Sequence, residues 1–139
     1  MIILDTNVVS EPLKLKSDTT VQEWLDNQVA ETLYLTSTSL AELLTGIEIL
    51  PLGKRRATLS AMVAETVEKL FRDRILPFDR EAATIYAELH GRARALGRVI
   101  SFADGQIAAI ATAHGFAVAT RDSAPFEAAG VRVIDPWAR

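Results

Sequence analysis

The sequence predicts an α/β fold, a parallel sheet with helices packed on both of its faces. Three observations carry this. Five short apolar runs recur along the chain, at residues 2–4, 33–35, 75–76, 117–119 and 131–134. Stretches with helical spacing of apolar residues separate them, and alternation of strand and helix is the pattern of a parallel sheet with right-handed crossovers. Arg132 aside, the runs are apolar instead of alternating with polar residues, as strands covered on both sides should be.

Each element has its own signal. Ile2-Ile3-Leu4 reads as a strand that starts at once. A helix begins near Thr6, with Asp5 in a position that favours capping. Residues 19–29 put Val21, Trp24, Leu25 and Gln28 on one helical face. Residues 40–50 carry Leu40, Leu43, Leu44, Ile47 and Leu50 at helical spacing, and Ser39 with Glu42 reads as a capping box at its start. A long amphipathic helix is expected over 54–72, and another over 80–96. Residues 105–114 form a further helix through Ile107, Ile110 and Ala111, and Gly115 stands where a C-cap is expected. A short helix over 125–129 precedes the last strand.

Composition bounds the function. A length of 139 residues suggests one domain, residues 1–139, with enough chain for a proper core. Hydrophobic residues make up 49% and charged residues 24%, the balance of an ordinary globular chain. The absence of cysteine removes disulfides, thiolate metal sites and cysteine nucleophiles together. No apolar run approaches the roughly 18 residues of a membrane span. The first residues lack the pattern of a signal peptide, so a cytoplasmic protein with no membrane role is expected. The net charge of −3 is unlike that of a general nucleic-acid binder, so such a role would rest on a local basic patch or on metal ions that offset acids.

Ligands of open parallel sheets bind beyond the carboxyl ends of the strands. Asp5 ends the first strand, with Thr6 and Asn7 behind it. Glu42 lies in the first turn of the helix expected after the second strand. Asp104 opens the helix that feeds the fourth strand, and Thr120, Arg121 and Asp122 end that strand. Four acids therefore share one edge. Each has a plain structural use, as a helix cap, beside a helix N-terminus, or in a turn. Together they would repel one another, and a hard cation answers that repulsion. Oxygen ligands suit Mg²⁺ or Mn²⁺, ions that polarise phosphoryl oxygens and lower the pKa of water. Metal-assisted hydrolysis of a phosphodiester is the chemistry that follows.

These residues also carry a resemblance. ILDTNVVSE resembles the opening of PIN domains, VapC-type toxins above all. SLAELLTGI, with Glu42, resembles their second acidic motif, and DGQIAAIATAHGFAVATRD, with Asp104, Thr120 and Asp122, their third and fourth. VRVIDPW is similar to their last strand, so the likeness spans nearly the whole chain. It implies a single PIN-like domain with a five-stranded parallel sheet, a homodimer, and a metal-dependent endoribonuclease that cuts structured cellular RNA. It also implies a small DNA-binding antitoxin whose C-terminal segment crosses the cleft, with DNA engaged only through that antitoxin. One departure stands out. Where many relatives read Thr-Arg-Asn, two residues and Asp-Phe, this chain reads Thr120-Arg121-Asp122-Ser123-Ala124-Pro125-Phe126, so its fourth acid is Asp122 alone.

On this reading Asp5, Glu42 and Asp104 hold the first Mg²⁺ or Mn²⁺ ion, and Asp122 binds a second or orders a water on it. Thr120 and Thr6 orient a carboxylate or that water, and Asn7 fixes the local turn or holds Asp5 in place. Arg92, Arg94 and Arg98, in the stretch leading to Asp104, are candidate phosphate contacts, ahead of Lys54, Arg55 and Arg56. Such runs are equally well read as solvated helix faces. His90 and His114 read as structural. The apolar faces of residues 40–50 and 59–67 read as core, or as contacts for a second copy or the antitoxin. Two other functions stay open: a catalytically silent PIN-fold module that binds RNA or protein, and an aspartyl-phosphate phosphotransfer domain. The last fits less well, because Asn7 replaces the second acid such sites want and no Lys follows position 69.

Overall fold

The computed structural model describes residues 1–138. Its strands are β1 (Ile2–Leu4), β2 (Leu33–Thr36), β3 (Ile75–Leu76), β4 (Ala117–Ala119) and β5 (Val133–Ile134). All pair in parallel, in the order β3-β2-β1-β4-β5. The registers Ile2↔Leu33, Ile2↔Ala117 and Val118↔Val133 level the strand ends, so their carboxyl termini form one edge. Strand order reverses on either side of β1, which puts a topological switch point between β1 and β4.

Seven α-helices cover the sheet: α1 (Thr6–Ser10), α2 (Thr19–Asp26), α3 (Ser37–Glu48), α4 (Lys54–Thr66), α5 (Arg80–Ala95), α6 (Phe102–His114) and α7 (Ala124–Ala128). Two apolar layers result. On one face Ile3 and Val118 pack with Leu89 of α5, Ile107 and Ile110 of α6, and Phe126 of α7. On the other, Leu4, Leu35 and Ala119 pack with Val8 and Val9 of α1, Leu43 and Ile47 of α3, and Val63 of α4. Ile3 and Leu4 are successive residues in opposite layers, as the two-residue repeat of a strand requires. Burial of α6 on several sides explains its run of alanines: Ala108, Ala109 and Ala111 leave room for both the sheet and α5.

Two expectations need correction. The helix expected over 54–72 ends at Thr66 and continues as a π-helical turn, Val67–Phe71. Phe71 is fully buried there, and Arg72 leaves the turn at φ 53°. The Arg74 side chain then caps the Leu33 and Leu70 carbonyls. Packing of Phe71 thus overrides local helix preference, a use to which π turns are suited. The capping box at Ser39 and Glu42 does not form. The N-cap is Thr36, whose hydroxyl accepts from the Ser39 N–H at 3.0 Å. The helix starts three residues before the expected position 40, so Glu42 falls in its second turn and its carboxylate is free for other partners.

Candidate active site

Asp5 stands at the switch point, directly after β1. Its backbone N–H continues the β1–β4 ladder by donating to the Ala119 carbonyl at 2.9 Å. Its side chain is buried, 6% exposed, yet has two donors. The Thr6 N–H gives to Oδ1 at 2.8 Å, which makes Asp5 the cap of α1, and the Thr120 hydroxyl gives to Oδ2 at 2.8 Å. Burial nonetheless holds the Asp5 carboxyl above the usual carboxylate range. The two hydrogen bonds oppose that rise, and the charges of Asp104 and Glu42 add to it.

Thr120 is the hub on the β4 side. Its hydroxyl donates to Asp5 and accepts from Asn7 Nδ2 at 3.4 Å and from the Asp122 N–H at 3.1 Å, which uses its one donor and both acceptor sites. Asn7 also accepts from the Arg121 N–H at 3.4 Å. It therefore bridges α1 to the segment after β4 and reaches Asp5 only through Thr120, a wider role than fixing its own turn.

Glu42 reaches the site from α3, where its Oε1 accepts from the Thr6 hydroxyl at 2.8 Å. Thr6 thus hydrogen-bonds a carboxylate, that of Glu42. Asp104 sits in the first turn of α6, capped by Ser101, whose hydroxyl accepts from the Asp104 N–H at 3.2 Å. The Asp104 carboxyl also lies above the usual range, through burial first, with the charges of Asp122 and Glu42 adding and Ser101 opposing. A bond the sequence did not suggest, Thr38 hydroxyl to Gln106 Oε1 at 2.6 Å, ties α3 to α6 beside these two acids. Thr38 follows β2 and Gln106 follows Asp104 by two residues, so their positions were the only signal.

None of the four acids forms an ion pair among the described residues, whose pairs are Lys14–Glu11, Arg56–Glu48 and Lys69–Glu65. Nor do any three acidic or imidazole groups there close into a ready-made metal cage. The donor set still fits Mg²⁺, which keeps much of its water and takes one or two carboxylates plus a substrate phosphate. Such an ion needs carboxylates near one another, and, behind the larger effect of burial, the charges of Asp104 and Glu42 reach Asp5 and those of Asp122 and Glu42 reach Asp104.

The arginines lie apart from this set. Arg92 and Arg94 are exposed in the last turn of α5, and Arg98 is exposed in the connection to α6. None of the three is ion-paired among the described residues. Arg98 shares a depression with Val99, Pro125 and Glu127, beside α7 and not among the acids. Arg56 is engaged by Glu48 at 2.8 Å and by the Leu50 carbonyl, so it clips α4 to the end of α3. His90 stacks on Tyr86 and His114 packs against Phe116, both structural uses. A groove between α1, α3 and α4, lined by Leu13, Leu43, Ile47, Leu59 and Met62, runs up to Thr6 and Glu42.

An open parallel sheet with carboxylates gathered at its switch point, and no cation paired to them among the described residues, defines the class: an α/β protein with an acidic candidate site at its strand ends. Comparison with known proteins narrows it. The model of the PIN domain family matches residues 2–131, and this chain belongs to that family. It is 50% identical to the VapC ribonuclease Y4jK of Sinorhizobium fredii, over 99% of this chain and 98% of that protein. It is 44% identical to Toxin FitB of Neisseria gonorrhoeae, over 99% of both. The structure of FitAB bound to IR36 DNA fragment matches with a TM-score of 0.95 at 43% identity, covering 100% of this chain and 97% of that one.

No helix among the described residues is long and apolar enough to cross a membrane.

Proposed function

We propose that this chain is a divalent-metal-dependent endoribonuclease and the toxin of a toxin–antitoxin pair. The observation that carries the proposal is Asp5: a buried carboxylate fixed by Thr6 and Thr120, within the influence of Glu42 and Asp104, with no cationic side chain paired to it among the described residues. Likeness to a VapC ribonuclease and to Toxin FitB over almost the full chain supports the same reading.

Asp5, Glu42 and Asp104 would hold Mg²⁺ or Mn²⁺, and Asp122 a second ion or an ordered water. When bound, such an ion would supply Lewis acidity for hydrolysis of a phosphodiester, favouring a polarised phosphoryl oxygen and a more acidic water. The protein's part is placement. Thr120 fixes Asp5, Thr6 fixes Glu42, and Ser101 fixes the turn that presents Asp104. Asn7 holds Thr120 and the Arg121 backbone in register. Arg92, Arg94 and Arg98 would supply a local basic patch for the RNA backbone, which reconciles RNA binding with a net charge of −3.

The partner would be a small DNA-binding antitoxin, through which the complex would meet DNA, and the similar FitAB structure is bound to a DNA fragment. The apolar groove leading to Thr6 and Glu42 suits a segment of that antitoxin. We further propose a homodimer that acts in the cytoplasm.

The test is cleavage of total bacterial RNA by the purified chain with Mg²⁺ or Mn²⁺, with EDTA, and with Asp5→Ala. Discrete fragments that vanish in EDTA and in the variant are expected. A folded, metal-supplied, antitoxin-free protein that leaves RNA intact would remove the nuclease and leave a binding module.

A further inference from the structure

We propose that Arg121, held on the ring of Trp137, binds a backbone phosphate flanking the one to be cleaved. The inference rests on the ribonuclease reading above and adds a contact that reading does not include.

Arg121 lies between Thr120 and Asp122, two residues the site already uses. Its backbone N–H is fixed by Asn7 at 3.4 Å, so the start of its side chain is tied to the same network that fixes Asp5. Its guanidinium lies over the Trp137 ring, 5.2 Å from the ring centroid. Trp137 is a firm platform. Its indole packs on the apolar layer that contains Leu4, Val8 and Ala119, and its backbone N–H donates to Asp135 Oδ1 at 2.9 Å.

A guanidinium held over an aromatic ring by cation–π attraction keeps its N–H donors, five in a fixed fork, available to an anion. No acid pairs with Arg121 among the described residues, and only its backbone N–H is hydrogen-bonded there. An exposed arginine normally loses rotamer freedom when it grips an anion. Here much of that freedom is already lost to the ring, so the edge is preorganised for bidentate phosphate contact. The position also gives direction. Trp137 follows β5, the strand beyond β4, whereas Glu42 stands on α3, after β2. A strand of RNA with its scissile phosphate at Asp5 and Asp104 would reach Arg121 with a neighbouring phosphate on the β5 side.

The experiment measures binding of a fluorescein-labelled single-stranded oligoribonucleotide of mixed sequence by anisotropy, across a salt titration. Asp104→Asn serves as the parent chain so that RNA survives. Arg121→Ala should weaken binding about tenfold and lower the slope of log K against log salt by about 0.7, the share of one phosphate on a single strand. Arg121→Lys should keep most of the slope and recover part of the affinity. Trp137→Ala should give an intermediate loss, and Trp137→Phe should restore it. Arg132→Ala, an exposed arginine on the approach to β5, controls for loss of charge alone. Circular dichroism confirms that each variant is folded. An Arg121→Ala chain with the parent's affinity and slope would overturn the proposal, as would an equal slope change in Arg132→Ala. If the wild type cleaves RNA while Arg121→Ala binds like the parent, only this inference fails. If the wild type neither binds nor cleaves RNA, the ribonuclease reading fails with it.

Discussion

At the scale of single residues, Asp5 opposes the fold that holds it. A buried acid whose carboxyl is raised binds its proton more tightly folded than unfolded. The sign follows directly. The folded state is favoured while the group is protonated, below its unfolded pKa, and that advantage is lost as pH rises through the interval between the unfolded and folded values. At neutral pH the charge is therefore a cost. Asp5→Asn should flatten the dependence of the metal-free protein's melting temperature on mildly acidic pH, while abolishing cleavage. A pH dependence equal to that of wild type under EDTA would contradict this. Thr120 tests the same balance from the other side. Thr120→Val removes the hydroxyl that stabilises the ionised Asp5 and leaves Asn7 and the Asp122 N–H without their shared acceptor. The Asp5 carboxyl should rise further, so the acid limb of the pH–rate profile should move to higher pH, with about 1–3 kcal/mol lost in stability. Thr120→Ser should restore both. An unmoved acid limb would separate Asp5 from the rate.

At the scale of elements, the packing of α5 on α6 positions Asp104. Gly105, directly after it, permits the contact: a Cβ there would meet Tyr86 Cε2 at 2.5 Å. The Tyr86 ring has Phe78, His90 and Phe102 around it, so it has little room to swing aside. Gly105→Ala should cost about 1–3 kcal/mol as an overpacked interface, read as a lower denaturant midpoint, and should displace Asp104 enough to slow cleavage. Tyr86→Ala in the same chain should recover part of the Gly105→Ala loss, and strict additivity of the two would rule out the contact as the cause. The caps act at the same scale. Ser101→Ala should cost about 1 kcal/mol and frees the turn that carries Asp104. At the other end of α6, Gly115 has φ 69°, a conformation in which a side chain is strained.

At the scale of the whole molecule, the acids come together because β1, α3, α6 and the end of β4 meet at one edge. An ion that binds the folded set and not the unfolded chain must stabilise the fold. Mg²⁺ or Mn²⁺ at a hundredfold excess over its Kd should add about 2.7 kcal/mol. Thermal melts with and without EDTA measure this, and the gain should disappear in Asp104→Asn. Equal shifts in the two chains would mean that the ion binds elsewhere. On the proposed function, local charge and a bound ion would decide whether an acidic chain meets a polyanion, and the net charge would not.

The sequence by itself determined the class of fold and the edge on which the four candidate acids stand. Strand and helix periods are local properties, and apolar runs at 2–4, 33–35 and 117–119 cannot easily be read as anything but covered strands. That Asp5, Glu42, Asp104 and Asp122 share an edge followed from parallel topology alone. Tertiary structure decided the rest. Glu42 read as a helix cap because Ser39 stands three residues before it, but whether Thr36 or Ser39 caps α3 depends on where β2 ends against β1 and β3. The break at Thr66 depends on the core's demand for Phe71. The bonds from Thr6 to Glu42 and from Thr38 to Gln106, and the stacking of Arg121 on Trp137, join residues far apart in the chain. A sequence pattern records which residues are near each other along the chain. It holds no direct record of which side chains meet once crossovers bring distant strand ends together.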